Sequence, residues 1–92
     1  MSVLEPDKFR DFEQAGWEKI PASYHDAFGA LTVQAIEPLL DAAAVKGRIN
    51  FLDIATGPGY VAAAAAKRGA TALGVDFSPA MVAQARQLHP GI

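Results

Sequence analysis

The chain changes texture near its middle. Over residues 1–48 the apolar positions recur at helical spacing among charged ones. Asp7 is placed to cap a helix carrying Phe9, Phe12 and, a turn later, Trp17, a set that predicts a packing stripe. Pro21 opens or interrupts the next segment, residues 22–28, and Gly29 reads as its stop. Thr32 is placed to cap a third helix with Val33, Ile36, Leu39 and Leu40 on its apolar face. Pro38 inside that pattern must kink or split it, and Gly47 ends the region.

From residue 49 the pattern alternates between strand-length and helix-length segments. Residues 49–55 (INFLDIA) form a short apolar run with Asp53 near its end, broken by Gly57-Pro58-Gly59. Residues 60–68 are alanine-rich, with Lys67 and Arg68 in the last turn and Gly69 as a stop. Residues 71–75 (TALGV) predict a second strand ending at Asp76. Ser78 followed by Pro79 is a helix cap with proline at the first helical position. Met81, Val82, Ala85 and Leu88 form the apolar side of that helix, and Pro90-Gly91 closes it. Strands alternating with helices imply a parallel sheet with right-handed crossovers, which normally needs cover on both faces.

Composition narrows the class. The 92 residues are 51% hydrophobic and 20% charged, with a net charge of -2, as expected for a globular chain. Lys and Arg are scattered, so no basic stripe predicts a nucleic-acid partner. No cysteine is present, which removes disulfides, thiolate nucleophiles and Cys-based zinc sites, and the two histidines are far apart. His25 and His89 read as surface residues. No apolar run approaches the roughly 20 residues that span a bilayer, and the first ten residues lack a signal-peptide core, so a cytoplasmic location is expected and a membrane partner is not.

Ligands of parallel sheets bind outside the carboxyl ends of the strands. Three features meet there. Asp53 lies near the end of the first strand, Gly57 and Gly59 form a turn that a ligand can approach closely, and Asp76 ends the second strand. Asp76 follows Gly57 by 19 residues, a spacing that suits hydrogen bonds to ribose hydroxyls. Gly57 to Ala62 also satisfies a GxGxxG/A pattern, so an NAD- or flavin-binding protein is one reading. Two details point away from pyrophosphate. Asp53 places negative charge beside the loop, which suits an ammonium or sulfonium group, and Pro58 removes one backbone N–H.

The run Phe51-Leu52-Asp53-Ile54-Ala55-Thr56-Gly57-Pro58-Gly59 resembles motif I of class I S-adenosylmethionine-dependent methyltransferases. Gly74 to Val82 resembles the segment that follows it, an acid-ended strand and an S-x-x-M helix start. The likeness covers residues 49–92 and is nearest to small-molecule enzymes of the ubiquinone/menaquinone-biosynthesis type. It implies an α/β, Rossmann-like doubly wound parallel sheet, of which this chain holds the N-terminal part, preceded by helices. Residues 1–48 would be a helical lead-in or lid and residues 49–92 the first half of the S-adenosylmethionine-binding domain. The resemblance further implies that Asp53 holds the methionine amino group and that Ala55, Thr56 and Gly57 line the methionine and ribose. Gly59 would open the helix under the cofactor, Asp76 would bind the ribose hydroxyls, and Phe77 and Met81 would pack near adenine. Ala55 stands where many members have glycine. Tyr24 is the lead-in candidate for a cofactor or substrate contact.

The implied reaction is methyl transfer from S-adenosylmethionine to a small molecule, with no general base assignable. The expected parent enzyme has about 200–270 residues, the size the resemblance suggests, so the isolated chain is expected to be inactive unless a second copy completes the sheet. A non-catalytic binding fragment is the third reading.

Overall fold

The computed structural model describes residues 5–19 and 29–92. Helix α1 spans Pro6–Glu18. Residues 29–32 are helical and run into a 3-10 turn, Val33–Ala35, followed by α2, Ile36–Ala42. Strand β1 is Asn50–Ile54, α3 is Tyr60–Lys67, β2 is Thr71–Val75 and α4 is Pro79–Leu88. Among the described residues no helix is long and apolar enough to cross a membrane.

β1 and β2 pair in parallel, with Asn50 opposite Thr71, Asp53 opposite Gly74 and Ile54 opposite Val75. α3 crosses between them. Its buried residues, Ala62 and Ala65, carry only a methyl group, which lets the helix lie close to its neighbours. The core consists of Ile36, Leu40, Val45, Ala65 and Ala70, with Phe51, Tyr60, Val61 and Ala72 packed against it. The core thus lies where α2 and α3 cover one face of the sheet. Period-2 alternation sends Phe51, Asp53, Ala72 and Gly74 toward that face. The other face presents Leu52, Ile54, Leu73 and Val75, between 39% and 74% exposed.

Arg68 fastens α2 to the end of α3. Its guanidinium donates to the Val45 carbonyl at 3.1 Å, pairs with Asp41 at 2.9 Å and pairs with Glu37. The Glu37 hydrogen bond leads in holding the Arg68 proton more firmly than usual, with Asp41 adding to it. The basic charge in the last turn of α3 is therefore Lys67, while Arg68 serves α2.

Several sequence expectations change. Phe9 and Phe12 form no packing stripe: they are 66% and 77% exposed, and α1 buries no residue, because no described element covers that side of it. The helix starts at Pro6 behind Glu5, without a side-chain cap, so Asp7 lies in its first turn. Gly29 is not a helix stop; it lies in helical residues 29–32, where it is buried beside the Tyr60 ring. Thr32 makes no cap, its hydroxyl donating to the Gly29 carbonyl at 3.3 Å. Pro38 falls in the first turn of α2, where a missing N–H costs no helical bond, and the break comes before it at the 3-10 turn. Only Ile36 and Leu40 of the predicted apolar face are buried, with Val33 and Leu39 about half exposed. The segment 22–28 lies outside the described residues.

Candidate functional site

The loop from Ala55 to Gly59 leaves β1 and enters α3 at the carboxyl edge of the sheet. Ala55 has φ +61°, a left-handed conformation that costs an L-residue about 1–2 kcal/mol and that glycine adopts freely. That accounts for the glycine common at this place in the resembling family. Gly57 has φ +56°, and a Cβ there would meet open space, so its backbone faces a region free for a ligand. Gly59 is different. It caps α3 with φ +87°, and a Cβ on it would come within 3.1 Å of Ala85.

The backbone donors of residues 56–59 are engaged. The Thr56 N–H donates to the Val75 carbonyl at 2.8 Å, tying the loop to the end of β2. The Gly57 N–H donates to Asp76 Oδ2 at 2.8 Å. Pro58 has no N–H, and the Gly59 N–H donates back to the Thr56 carbonyl at 3.0 Å. An anion arriving at residues 56–59 would find no donor waiting for it.

The two acids work on opposite sides of the loop. Asp53 is half-buried on the covered face and accepts the Thr56 hydroxyl at 2.8 Å. It lines a cavity of about 150 Å³ with Thr32, Ile36, Thr56, Pro58 and Tyr60. Asp76 uses Oδ2 for Gly57 and Oδ1 for the Ser78 N–H at 2.9 Å. A carboxylate offers about four lone-pair sites, so both oxygens retain acceptor capacity. Asp76 lines a larger cavity, about 250 Å³, with Trp17, Ala55, Gly57, Phe77 and Met81.

Of the sequence candidates, the structure therefore gathers Ala55, Gly57, Asp76, Phe77 and Met81 around one cavity and Asp53, Ala55 and Thr56 around the other. Ala55 belongs to both. Gly59 lines neither, lying buried beneath the end of α4. Tyr24 lies outside the described residues. His89 is not a plain surface residue: it is half-buried, its ring edge-on to Tyr60 at 5.8 Å between centroids.

Ser78 organises the far side. Fully buried, it caps α4 by accepting the Met81 N–H at 3.2 Å. Its hydroxyl donates to Glu18 Oε1 at 2.6 Å, and the Ala80 N–H donates to the same oxygen at 2.9 Å. The Ser78 hydroxyl, then the Ala80 N–H, hold the Glu18 carboxyl below the usual glutamate range. Gln14 adds a bond to the Phe77 carbonyl. Sequence reasoning missed Trp17 and Glu18 as site residues. The partners of Glu18 lie 60 and 62 positions away, beyond any local pattern.

Residues 51–91 match the family model of a methyltransferase domain. The match covers just under half of the chain and supports a class I S-adenosylmethionine-dependent methyltransferase family. Such a domain implies a Rossmann-like fold, with which β1, the loop, α3, β2 and α4 agree in order and in parallel pairing. No curated protein and no solved structure matches the chain.

Proposed function

We propose that this chain binds S-adenosylmethionine and forms the cofactor-holding part of a cytoplasmic enzyme that methylates a small molecule. The observation that carries the choice of ligand is the spent donor set of residues 56–59, flanked by two carboxylates. A pyrophosphate needs donors and repels acids; a ligand with a diol and a cationic amino acid end needs acceptors. Both cavities supply them. Asp76 would accept from the ribose hydroxyls, Asp53 would hold the ammonium group, and the open backbone at Gly57 would admit the chain between them. Bound S-adenosylmethionine supplies a methyl group activated by its sulfonium charge.

The rest of the work is positional. Holding donor and acceptor in line is worth up to roughly 7–11 kcal/mol, and this chain's residues contribute the donor half of that alignment. The likeness to small-molecule enzymes of the ubiquinone/menaquinone type favours a small acceptor. The uncovered aliphatic face of the two-stranded sheet supports the reading that further strands and helices, from a longer chain or a second copy, complete the enzyme.

Calorimetry with S-adenosylhomocysteine and with NAD tests the ligand. Binding of S-adenosylhomocysteine is expected, and binding of NAD alone would overturn the proposal. Asp76→Ala is expected to weaken S-adenosylhomocysteine by about 1–3 kcal/mol, since it removes a charged acceptor.

A further inference from the structure

The larger cavity has one wall from outside the sheet edge. Trp17, in the last turn of α1, lines it together with Phe77 and Met81. That wall is fastened on both sides of the indole. Gln14 bonds the Phe77 carbonyl, while Glu18, one turn further along the helix, bonds the Ser78 hydroxyl and the Ala80 N–H. Both anchors grip the strap that carries Phe77 to Met81. The half-buried indole is therefore presented to the cavity, and α1 contributes no buried apolar residue that would explain its docking otherwise.

The cavity combines two kinds of lining. Asp76 supplies a charged acceptor, and Trp17, Phe77 and Met81 supply an aromatic and thioether lining. A nucleoside carries the matching pair of chemistries, donor hydroxyls on the sugar and a flat, weakly polar base. Indole rings stack on such bases, and thioethers contact aromatic edges favourably. We propose that Trp17 is a binding residue for the purine base of the nucleoside ligand, and that Glu18 is the positioning residue that holds it there. The proposal rests on the S-adenosylmethionine reading and extends it to a residue outside the matched segment 51–91.

Trp17 is the sole tryptophan of the chain, so its emission reports on the site without a label. The full 92-residue chain is titrated with S-adenosylhomocysteine by calorimetry and by fluorescence in parallel. Trp17 emission should be quenched or shifted to the blue, saturating at the calorimetric Kd. Adenosine should reproduce the change and homocysteine should not. Trp17→Ala should weaken binding about tenfold or more, whereas Trp17→Phe, which keeps a ring, should stay within about threefold. Calorimetric binding with unchanged emission, a red shift that signals expulsion of the indole into water, or full affinity in Trp17→Ala would each overturn the role of Trp17 and leave the cofactor reading standing. Absence of S-adenosylhomocysteine binding by the unaltered chain would overturn both. If Trp17→Ala does not fold, the emission titration and Trp17→Phe decide the question.

Discussion

Helix α1 and the β1–α3–β2 body border the same cavity, yet different forces hold them. The body is fastened by burial: Leu40, Val45 and Ala65 are at most 2% exposed, and Arg68 pins α2 over them. No residue of α1 is fully buried, and side-chain hydrogen bonds of Gln14 and Glu18 hold it. The body therefore fixes Asp53, Gly57 and Asp76. α1 supplies a wall that a modest change can release. Local opening draws on regions with few buried contacts, and α1 is such a region.

The contrast can be broken from the body side most severely. A Cβ at residue 74 would lie 2.6 Å from Thr56 Oγ1 and 2.8 Å from Thr56 Cβ. Gly74→Ala must push Thr56 off Asp53 and should cost roughly 1–3 kcal/mol of stability, read as a lowered midpoint in urea. The body should suffer first, so far-UV circular dichroism is expected to fall together with the Trp17 signal.

A smaller change should separate the two regions. Ser78→Ala removes the cap of α4 and the hydroxyl that Glu18 accepts, with about 1–2 kcal/mol expected for the cap alone. Trp17 emission should move to the red while the sheet signal persists. Acid should do the same reversibly. The folded Glu18 pKa lies below its unfolded value, so its contribution is complete above the ordinary glutamate range and is lost as pH falls through the lowered value. Asp76 is a second carboxylate on the same strap and accepts the neighbouring Ser78 N–H, so Glu18→Gln is the control. An acid transition in Trp17 emission that survives in Glu18→Gln would assign the effect elsewhere.

The smallest effect sharpens the picture of the loop. Ala55→Gly should relieve the left-handed strain of about 1–2 kcal/mol while adding glycine's entropic cost of about 0.5–1 kcal/mol. The net gain should stay below about 1 kcal/mol in equilibrium unfolding. A loss of stability there would show that the alanine methyl contributes packing the strain argument ignores.

Local chemistry made the sheet edge legible. β2 has the predicted bounds 71–75, Ser78 caps α4 as its place before Pro79 implies, and the loop turns at Gly57 and Gly59. Each of these depends on residues within a few positions. What the sequence did not disclose depends on long-range geometry. Asp53 and Asp76 end neighbouring strands, but Asp53 sits opposite Gly74, on the covered face, and bonds Thr56 there. Asp76 lies one residue past the strand and turns back to Gly57, so the two acids serve separate cavities. Phe9 and Phe12 have the spacing of a buried stripe, but spacing cannot supply the surface that would bury them. Trp17 lies at the site beside anchors that bond residues about 60 positions away in sequence.

The bare sheet face also governs how the chain behaves in a tube. Among the described residues β1 and β2 are both edge strands, so each keeps one side of unpaired backbone beside Leu52, Ile54, Leu73 and Val75. Sticky side chains next to open edges favour association, and a net charge of -2 offers little repulsion against it. Scattering should therefore rise with protein concentration and with added salt. Lysine at position 52 or 73 should restore a monodisperse solution without touching either cavity.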